Sequence, residues 1–228
     1  MTRRPLILSI LALALLLFVG AAWFVSRPDA RPAAVAPEVA EALVRPGAPV
    51  LGPEDAPVTI VEFFDPACEG CRAFHPIVKD IMAEHGDAVR VVIRYAPFHG
   101  EVSEVAIRVL KAARAQGVYE PVLDALMREQ PRWASHGGFR PDLIAGIAGE
   151  AGLDVEAAME QMTAPEVDAI IGRDRADIVT ARIRATPTFF VNERPLEPFG
   201  EAELRALVAD EVRRAAERDA ARSGAETG

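Results

Sequence analysis

Two cysteines at the junction of a predicted strand and a predicted helix constrain the fold of this chain more than any other feature. Cys68 and Cys71 are the only cysteines among its 228 residues. The segment Val58–Phe64 before them is β-branched and aromatic and has a proline on either side, which predicts a buried strand. Apolar residues at helical spacing predict a helix from Cys68 to His85, and Val89–Tyr95 predicts a second strand. A strand, a helix and a strand in this order form a right-handed parallel unit.

The number and spacing of the cysteines limit their chemistry. A scaffold of several disulfides and a four-cysteine zinc site are both excluded. A thiol at a helix amino terminus faces unpaired backbone N–H groups, which favour its thiolate. Cys68 is therefore predicted to be the exposed nucleophile, and Cys71 the thiol that attacks a mixed disulfide on Cys68. This redox interpretation is favoured over two alternatives, which are an inert disulfide closing a very short loop, and a metal site using His75 without an obvious fourth ligand.

The charge balance argues against nucleic acid as a partner. The chain has 25 basic and 34 acidic side chains, a formal net charge of −9. Without residues 1–31 the net charge becomes −12, because four arginines and one aspartate are removed. Phosphate contacts need clustered lysine and arginine side chains, so we expect no nucleic-acid binding.

The amino terminus predicts a membrane anchor. Residues 6–25 form an uncharged apolar stretch of about 30 Å in helical form, enough to cross a bilayer. A cleaved signal peptide has a shorter apolar core, and the small residues at 34–36 come late for a cleavage site. Arg3 and Arg4 favour a cytoplasmic start, which places the remaining chain in a bacterial periplasm. We therefore expect a single-pass inner-membrane protein, with a cleaved, soluble periplasmic form as the alternative.

Composition divides the chain into four segments. Residues 1–25 are the anchor or signal, and residues 26–56 are a linker rich in proline and alanine. Residues 57–219 form the folded domain, in which a helical insertion of residues 101–183 precedes two further strands and a final helix. Residues 220–228 are expected to be a disordered tail.

At this point the chain resembles the DsbA-like branch of the thioredoxin superfamily. The segment Val61-Glu62-Phe63-Phe64 resembles that family's central strand, and Pro76 matches a proline of its active-site helix. Residues 95–100 resemble the segment that enters the helical insertion. Thr186-Pro187, followed by Thr188-Phe-Phe-Val191, matches the loop in which a cis-proline faces the cysteines.

The resemblance implies a thioredoxin fold with a helical insertion and a protein-disulfide oxidoreductase activity. Cys68 and Cys71 would exchange disulfides, Glu62 would be a buried acid assisting proton transfer at Cys71, and Thr186 and cis Pro187 would bind substrate backbone. The disulfide between Cys68 and Cys71 would be the redox-active group, so no other cofactor is expected. Partners would be cysteine-containing exported proteins and a membrane redox protein of DsbB-like or DsbD-like type.

Two departures from that family bear on the direction of electron flow. Familiar DsbA oxidases have Pro-His between their cysteines, whereas this chain has Glu69-Gly70, which we expect to tune the redox potential. Thr186 precedes the predicted cis-proline, as in several periplasmic isomerases and reductases. We expect oxidation of substrates rather than reduction, because a DsbA-like helical insertion is typical of proteins that donate disulfides. The alternatives are a reductase or isomerase fed by a membrane electron carrier, a copper- or zinc-binding thiol protein, and a binding module with an inert disulfide.

The histidines and two aromatic residues of the insertion are predicted to have structural rather than catalytic roles. The four histidines, His75, His85, His99 and His136, are assigned no catalytic role. Trp133 and Phe139 are expected to pack within the helical insertion, with a place in a peptide groove as the alternative.

Overall fold

The structure is a computed structural model that describes residues 35–135 and 138–226. The predicted anchor and the start of the predicted linker lie outside these ranges. Within them, no helix combines the length and apolar character needed to cross a membrane.

A five-stranded mixed sheet forms the centre of the described region. Its strands are β1 (Val50–Leu51), β2 (Val58–Phe64), β3 (Val89–Tyr95), β6 (Thr188–Val191) and β7 (Arg194–Pro195), in the spatial order β1-β3-β2-β6-β7. Strands β2 and β3 are parallel, as the strand–helix–strand pattern predicted, and the other pairs are antiparallel. Two further short strands, β4 (Ala134–Ser135) and β5 (Gly138–Phe139), pair with each other.

Helices flank the sheet and form the insertion. They are α1 (Pro37–Leu43), α2 (Glu69–His85), α3 (Glu101–Ala115), α4 (Tyr119–Arg128), α5 (Gln130–Trp133), α6 (Ile144–Glu150), α7 (Val155–Met162), α8 (Pro165–Thr180) and α9 (Glu201–Glu226). Short 3-10 turns cover Gly86–Ala88 and Pro141–Leu143. Helices α3 to α8 lie between β3 and β6, so the predicted thioredoxin fold with a helical insertion is confirmed.

Both faces of the sheet are covered, which explains why β2 and β3 are almost continuously apolar. On one face, β2 and β3 pack with α2, α9 and most of the insertion. On the other face, Val61, Phe63 and Val92 pack against Leu43 of α1 and Ile178 of α8. The loop that carries the cysteines follows the carboxyl end of β2, the central strand of this sheet.

The predicted linker is wrong for residues 37–56, which are part of the folded unit that begins at Val35. Helix α1 buries Leu43, and β1 pairs with β3. Arg45 donates hydrogen bonds of 2.9 and 2.7 Å to the two carboxylate oxygens of Asp177. Prolines fix backbone angles without preventing a segment from packing, so a proline-rich composition did not make this segment a free spacer.

The fully buried guanidinium of Arg94 also fixes this segment. Arg94 donates to Asp174 at 2.8 Å and to Asp177 at 2.7 Å, and it also donates to the carbonyl oxygen of Ala42. A buried charge needs such partners. The network therefore joins β3, α8 and the end of α1.

The predicted disordered tail is also different in the structure, where α9 continues to Glu226. The sequence after residue 215 is rich in alanine, arginine and glutamate, which are strong helix formers. Arg213 pairs with Glu217 at 2.9 Å at a spacing of four residues, which further supports the helix.

Candidate active site

Cys68 and Cys71 lie where β2 feeds α2, and both are free thiols. Cys68 is the N-cap residue of α2 with an extended backbone, and its side chain is 9% exposed. Cys71 is in the first turn of the helix and is completely buried. Cys68 is thus the more accessible of the two thiols, but it is largely buried and not exposed as the sequence predicted.

The environment of Cys68 strongly favours its thiolate. A hydrogen bond from the Cys71 thiol lowers the pKa of Cys68 to about 5, although partial burial opposes this shift. The Thr186 side chain and the backbone N–H groups of Cys71 and Gly70 lower this pKa further. These donors are the unpaired N–H groups of a helix amino terminus together with one hydroxyl from the opposite loop.

Cys71 has the opposite character. Burial raises the pKa of Cys71 well above its ordinary value, and its hydrogen bond to Cys68 and the charge of Glu62 raise it further. The backbone N–H of Asp65 lies 3.4 Å from its sulfur and opposes this shift. At neutral pH, Cys68 is therefore the anionic sulfur and Cys71 the protonated one.

Glu62 is buried in β2, as the sequence predicted, with 3% of its surface exposed. Its register neighbours are Ile93 on β3 and Phe189 on β6. Burial raises the pKa of Glu62 to about 8, and the nearby charge of Cys68 adds to this effect. Its Oε1 atom has no hydrogen-bond partner among the described residues. Glu62 is thus a carboxyl group that carries a proton at neutral pH close to both sulfurs; its catalytic role stays a prediction.

The loop Thr186–Pro187 faces the cysteines. The Thr186–Pro187 peptide bond is cis, as predicted, and the sulfur of Cys68 lies 3.1 Å from the carbonyl oxygen of Thr186. Gly70 lies against the same loop, since a Cβ added there would be 3.0 Å from Pro187 Cδ. Glu69, between the cysteines, is exposed. The structure therefore brings together every residue that the sequence analysis proposed for the site.

Asp65 is a site residue that the sequence analysis missed. It is fully buried, and its Oδ1 accepts a 2.9 Å hydrogen bond from the backbone N–H of Ala67. Its Oδ2 accepts from the N–H groups of Phe98 and His99, and lies 2.7 Å from Nδ1 of His99. Asp65 thus ties the loop before Cys68 to the loop after β3. A short acidic residue directly after a buried strand was the available signal.

The two aromatic candidates of the insertion differ in their burial. Trp133 is fully buried and donates from Nε1 to the carbonyl oxygen of Leu126 at 3.0 Å, so it packs within the insertion as predicted. Phe139 is exposed on β5, so the prediction that it packs within the insertion is wrong. A cluster of three phenylalanines was not predicted. The ring centroid of Phe74 on α2 lies 5.4 Å from that of Phe189 on β6 and 4.8 Å from that of Phe199.

His75, the histidine of the metal alternative, contacts a carboxylate group. Nε2 of His75 lies 2.8 Å from Asp124 on α4, which also binds Lys79. Across residues 35–135 and 138–226, no group of three or more potential ligands is close enough to hold a metal ion. His136 lies outside the described residues.

A thioredoxin fold with a helical insertion, in which a low-pKa thiol at a helix amino terminus, a buried second thiol and a cis-proline lie together, is the architecture of the DsbA-like class. Residues 45–210 match the family model described as Thioredoxin. The chain belongs to this family.

Solved structures agree with this assignment. A thioredoxin-like oxidoreductase from Silicibacter pomeroyi DSS-3 is 36% identical, with a TM-score of 0.66 over 78% of this chain and 97% of that chain. Oxidised BdbD from Bacillus subtilis is 26% identical, with a TM-score of 0.64 over 73% of this chain and 94% of that chain.

A third relative is much longer than this chain. It is the Na(+)/H(+) antiporter NhaA of Herminiimonas arsenicoxydans, 37% identical over 165 residues, which are 72% of this chain. The chain spans about a quarter of the length of this and the next curated relatives it matches.

Proposed function

We propose that this protein oxidises cysteine pairs in exported proteins, using Cys68 and Cys71, in a bacterial periplasm. The observation that carries the proposal is the contrast between the two thiols, with a pKa of about 5 for Cys68 and a raised pKa for Cys71. A stabilised thiolate stabilises the reduced protein, and a dithiol whose reduced form is stabilised acts as an oxidant.

In the proposed reaction, a substrate thiolate attacks Sγ of Cys68 in the disulfide form. The bond between the two protein sulfurs breaks, and Cys71 leaves as a thiolate that takes a proton. Glu62, protonated at neutral pH because of its raised pKa of about 8, is the nearby group that supplies it. A second substrate thiolate then attacks the substrate sulfur bound to Cys68. Cys68 leaves as a stable thiolate, the substrate gains a disulfide, and two electrons stay on the protein.

The cycle closes when a membrane protein of DsbB-like type accepts those two electrons and restores the disulfide. We propose that residues 6–25 anchor the domain to the inner membrane and that residues 26–34 are the spacer. This arrangement keeps the active site on the side of the membrane where disulfides persist.

The redox potential tests the direction of the reaction. Equilibration of purified protein with glutathione should give a potential between about −120 and about −190 mV, nearer to DsbA at about −120 mV than to thioredoxin at about −270 mV. Stoichiometric oxidised protein should also convert a reduced, unfolded substrate to its disulfide form. A value at or below that of thioredoxin would contradict the oxidase proposal.

Trapping of substrates tests the roles of the two sulfurs. In cells, Cys71→Ala should accumulate mixed disulfides between Cys68 and exported proteins, since the second thiol cannot release them. Cys68→Ala is the matched control and should accumulate none. Mixed disulfides that persist in Cys68→Ala would overturn the assignment of the nucleophile.

One observation favours a second candidate, a reductase or isomerase fed by a DsbD-like carrier. Exposed Glu69 between the cysteines adds a negative charge next to the Cys68 thiolate, which disfavours the reduced form. Insulin reduction separates the candidates, because a reductase catalyses it efficiently with a regenerating reductant and an oxidase does so poorly.

A further inference from the structure

Gln130 is a fully buried polar residue of the helical insertion whose contacts lead to the active-site loop. It is the first residue of α5. Its Nε2 donates hydrogen bonds to the carbonyl oxygen of Pro66 at 2.7 Å and to that of Cys68 at 2.9 Å. Its Oε1 accepts from Nε of Arg72 at 3.1 Å. Both N–H groups and the oxygen of the Gln130 amide therefore form hydrogen bonds with the segment that surrounds Cys68.

This arrangement is specific to an amide. Both hydrogens of the Gln130 side-chain nitrogen have a carbonyl partner, and its oxygen has a cationic donor. The two carbonyl groups belong to a buried loop, where a polar group without a partner is costly. The carbonyl of Cys68 also accepts the N–H of Arg72 at 3.1 Å, the first hydrogen bond of α2. Gln130 thus fixes the loop at the residue where the helix begins.

The same turn presents backbone donors to the nucleophile. The N–H groups of Gly70 and Cys71 lower the pKa of Cys68 by hydrogen bonding to its sulfur. Their direction depends on the backbone angles of residues 66–71. The Gln130 amide also balances the partial negative charge of the Cys68 carbonyl, which lies on the same residue as the developing thiolate.

We propose that Gln130 is a positioning residue through which the helical insertion sets the thiolate stability of Cys68. Gln130 holds the Pro66 and Cys68 carbonyls so that the Gly70 and Cys71 N–H groups remain aimed at the sulfur. Arg72 keeps the amide in its orientation. The inference deepens the proposed thiol–disulfide exchange and rests on it.

The test compares Gln130→Met with the wild type. Met has a similar length and can pack in the same space, but it cannot donate to the carbonyls. Thiolate absorbance against pH should show the pKa of Cys68 raised by roughly one unit, a roughly tenfold loss of thiolate stability. The equilibrium constant with glutathione should shift by a similar factor towards a weaker oxidant.

A second variant and a control separate positioning from simple loss of stability. Gln130→Glu keeps an acceptor for Arg72 but places a carboxylate against two carbonyl oxygens, so the pKa of Cys68 should rise further than in Gln130→Met. Trp133→Phe, in the same short helix, removes the hydrogen bond to the Leu126 carbonyl and none to the loop. It should lower the melting temperature without changing the pKa of Cys68.

The outcomes are distinct. A melting temperature lowered in Gln130→Met with an unchanged pKa of Cys68 and an unchanged glutathione equilibrium would overturn the proposal, as would an equal pKa rise in Trp133→Phe. If Gln130→Met does not fold, Gln130→Asn, whose amide is one methylene too short to reach both carbonyls, carries the same expectation. A reducing potential of the wild type would contradict the proposed oxidase function while leaving the difference between variant and wild type measurable.

Discussion

The sulfur of Cys68 lies 3.1 Å from the carbonyl oxygen of Thr186, across the gap between the helix and the cis-proline loop. Thr186 therefore offers this sulfur two groups of opposite effect. Its carbonyl accepts a hydrogen bond from the thiol, whereas its side chain lowers the pKa of Cys68 by hydrogen bonding to the thiolate. The protonation state of Cys68 decides which of the two contacts is made.

The first prediction concerns the Thr186 hydroxyl. Thr186→Val keeps the shape and the carbonyl but removes the donor, so the pKa of Cys68 should rise above about 5, by about one unit. Thiolate absorbance against pH measures it. Thr188→Val is the control, because its hydroxyl donates to the Ala185 carbonyl at 2.7 Å rather than to sulfur. Equal titration curves for Thr186→Val and wild type would show that the hydroxyl does not stabilise the thiolate.

The second prediction concerns the pH dependence of the redox potential. At neutral pH, reduction of the disulfide should take up two electrons but only one proton, because the pKa of Cys68 is about 5 and that of Cys71 is raised. The potential should then fall by about 30 mV per pH unit, half the slope of a dithiol with two protonated thiols. Glutathione equilibria between about pH 6 and pH 9 measure the slope.

Glu62→Gln is the companion variant for that measurement, because it removes the buried carboxyl that responds to the charge on Cys68. The variant should keep the slope of about 30 mV per pH unit. A slope near 60 mV at neutral pH in Glu62→Gln would mean that Cys68 is protonated there, whereas a steeper slope in the wild type alone would mean that Glu62 takes up a proton when Cys68 becomes charged.

Local patterns predicted the parts of this site that come from neighbouring residues. The strand before Cys68 and the helix after it were predicted from spacing and residue type, whereas the cis-proline loop at Thr186 was predicted from the resemblance to the DsbA-like family. Gln130 and Asp65 were not, since each acts through contacts with residues far away in sequence. Gln130 is 62 residues from the Cys68 carbonyl it binds, and Asp65 is 34 from His99. Hydrophobic periodicity carries no information about such pairs.

The same reason explains why the segment around α1 was mistaken for a spacer. Its docking depends on Asp177, 132 residues from Arg45. A run of prolines shows only that helix and strand are locally disfavoured there.

The third prediction uses linkage between the protonation of Glu62 and folding. The pKa of Glu62 is about 8 in the folded protein and about 4.5 in the unfolded chain, so the folded state holds one more proton between these values. Stability from this group is full below about pH 4.5 and is lost as pH rises through about 8. The loss is at most about 1.4 kcal/mol per pH unit within the window.

Denaturant unfolding of the oxidised protein between about pH 5 and pH 8 measures the part of this effect that comes from burial, because neither cysteine titrates there and the charge of Cys68 is absent. In the wild type, the free energy of unfolding should fall with rising pH more steeply than in Glu62→Gln. Comparison of the two proteins cancels the contributions of other titrating groups. Parallel pH profiles in the two proteins would contradict a raised pKa for Glu62.

The fourth prediction concerns Gly70. A Cβ added there would meet Pro187 Cδ at 3.0 Å, the Thr186 carbonyl oxygen at 3.4 Å and the Cys68 sulfur at 3.5 Å. Gly70→Ala should therefore displace the facing loop and slow mixed-disulfide formation about three- to tenfold, because small displacements of reacting groups are costly. Stopped-flow reaction with a thiol substrate measures the rate.

Gly172→Ala is the matched control for this change. Gly172 lies within α8, and an added Cβ there would meet no described atom within 4 Å. Exchange at the wild-type rate is expected for the control. The same rate in Gly70→Ala would show that the loop yields without affecting the sulfur.

The fifth prediction concerns Glu69, whose exposed carboxylate adjoins Cys68 at the helix amino terminus. Like charges disfavour ionisation of a neighbouring group, so Glu69→Gln should lower the pKa of Cys68 by about 0.5–1 unit and make the protein a stronger oxidant. The effect should shrink in high salt, because exposed charges are screened. Asp80→Asn, about 16 Å further along α2, is the control and should change neither quantity. A higher or unchanged pKa of Cys68 in Glu69→Gln would show that this carboxylate does not weaken the thiolate.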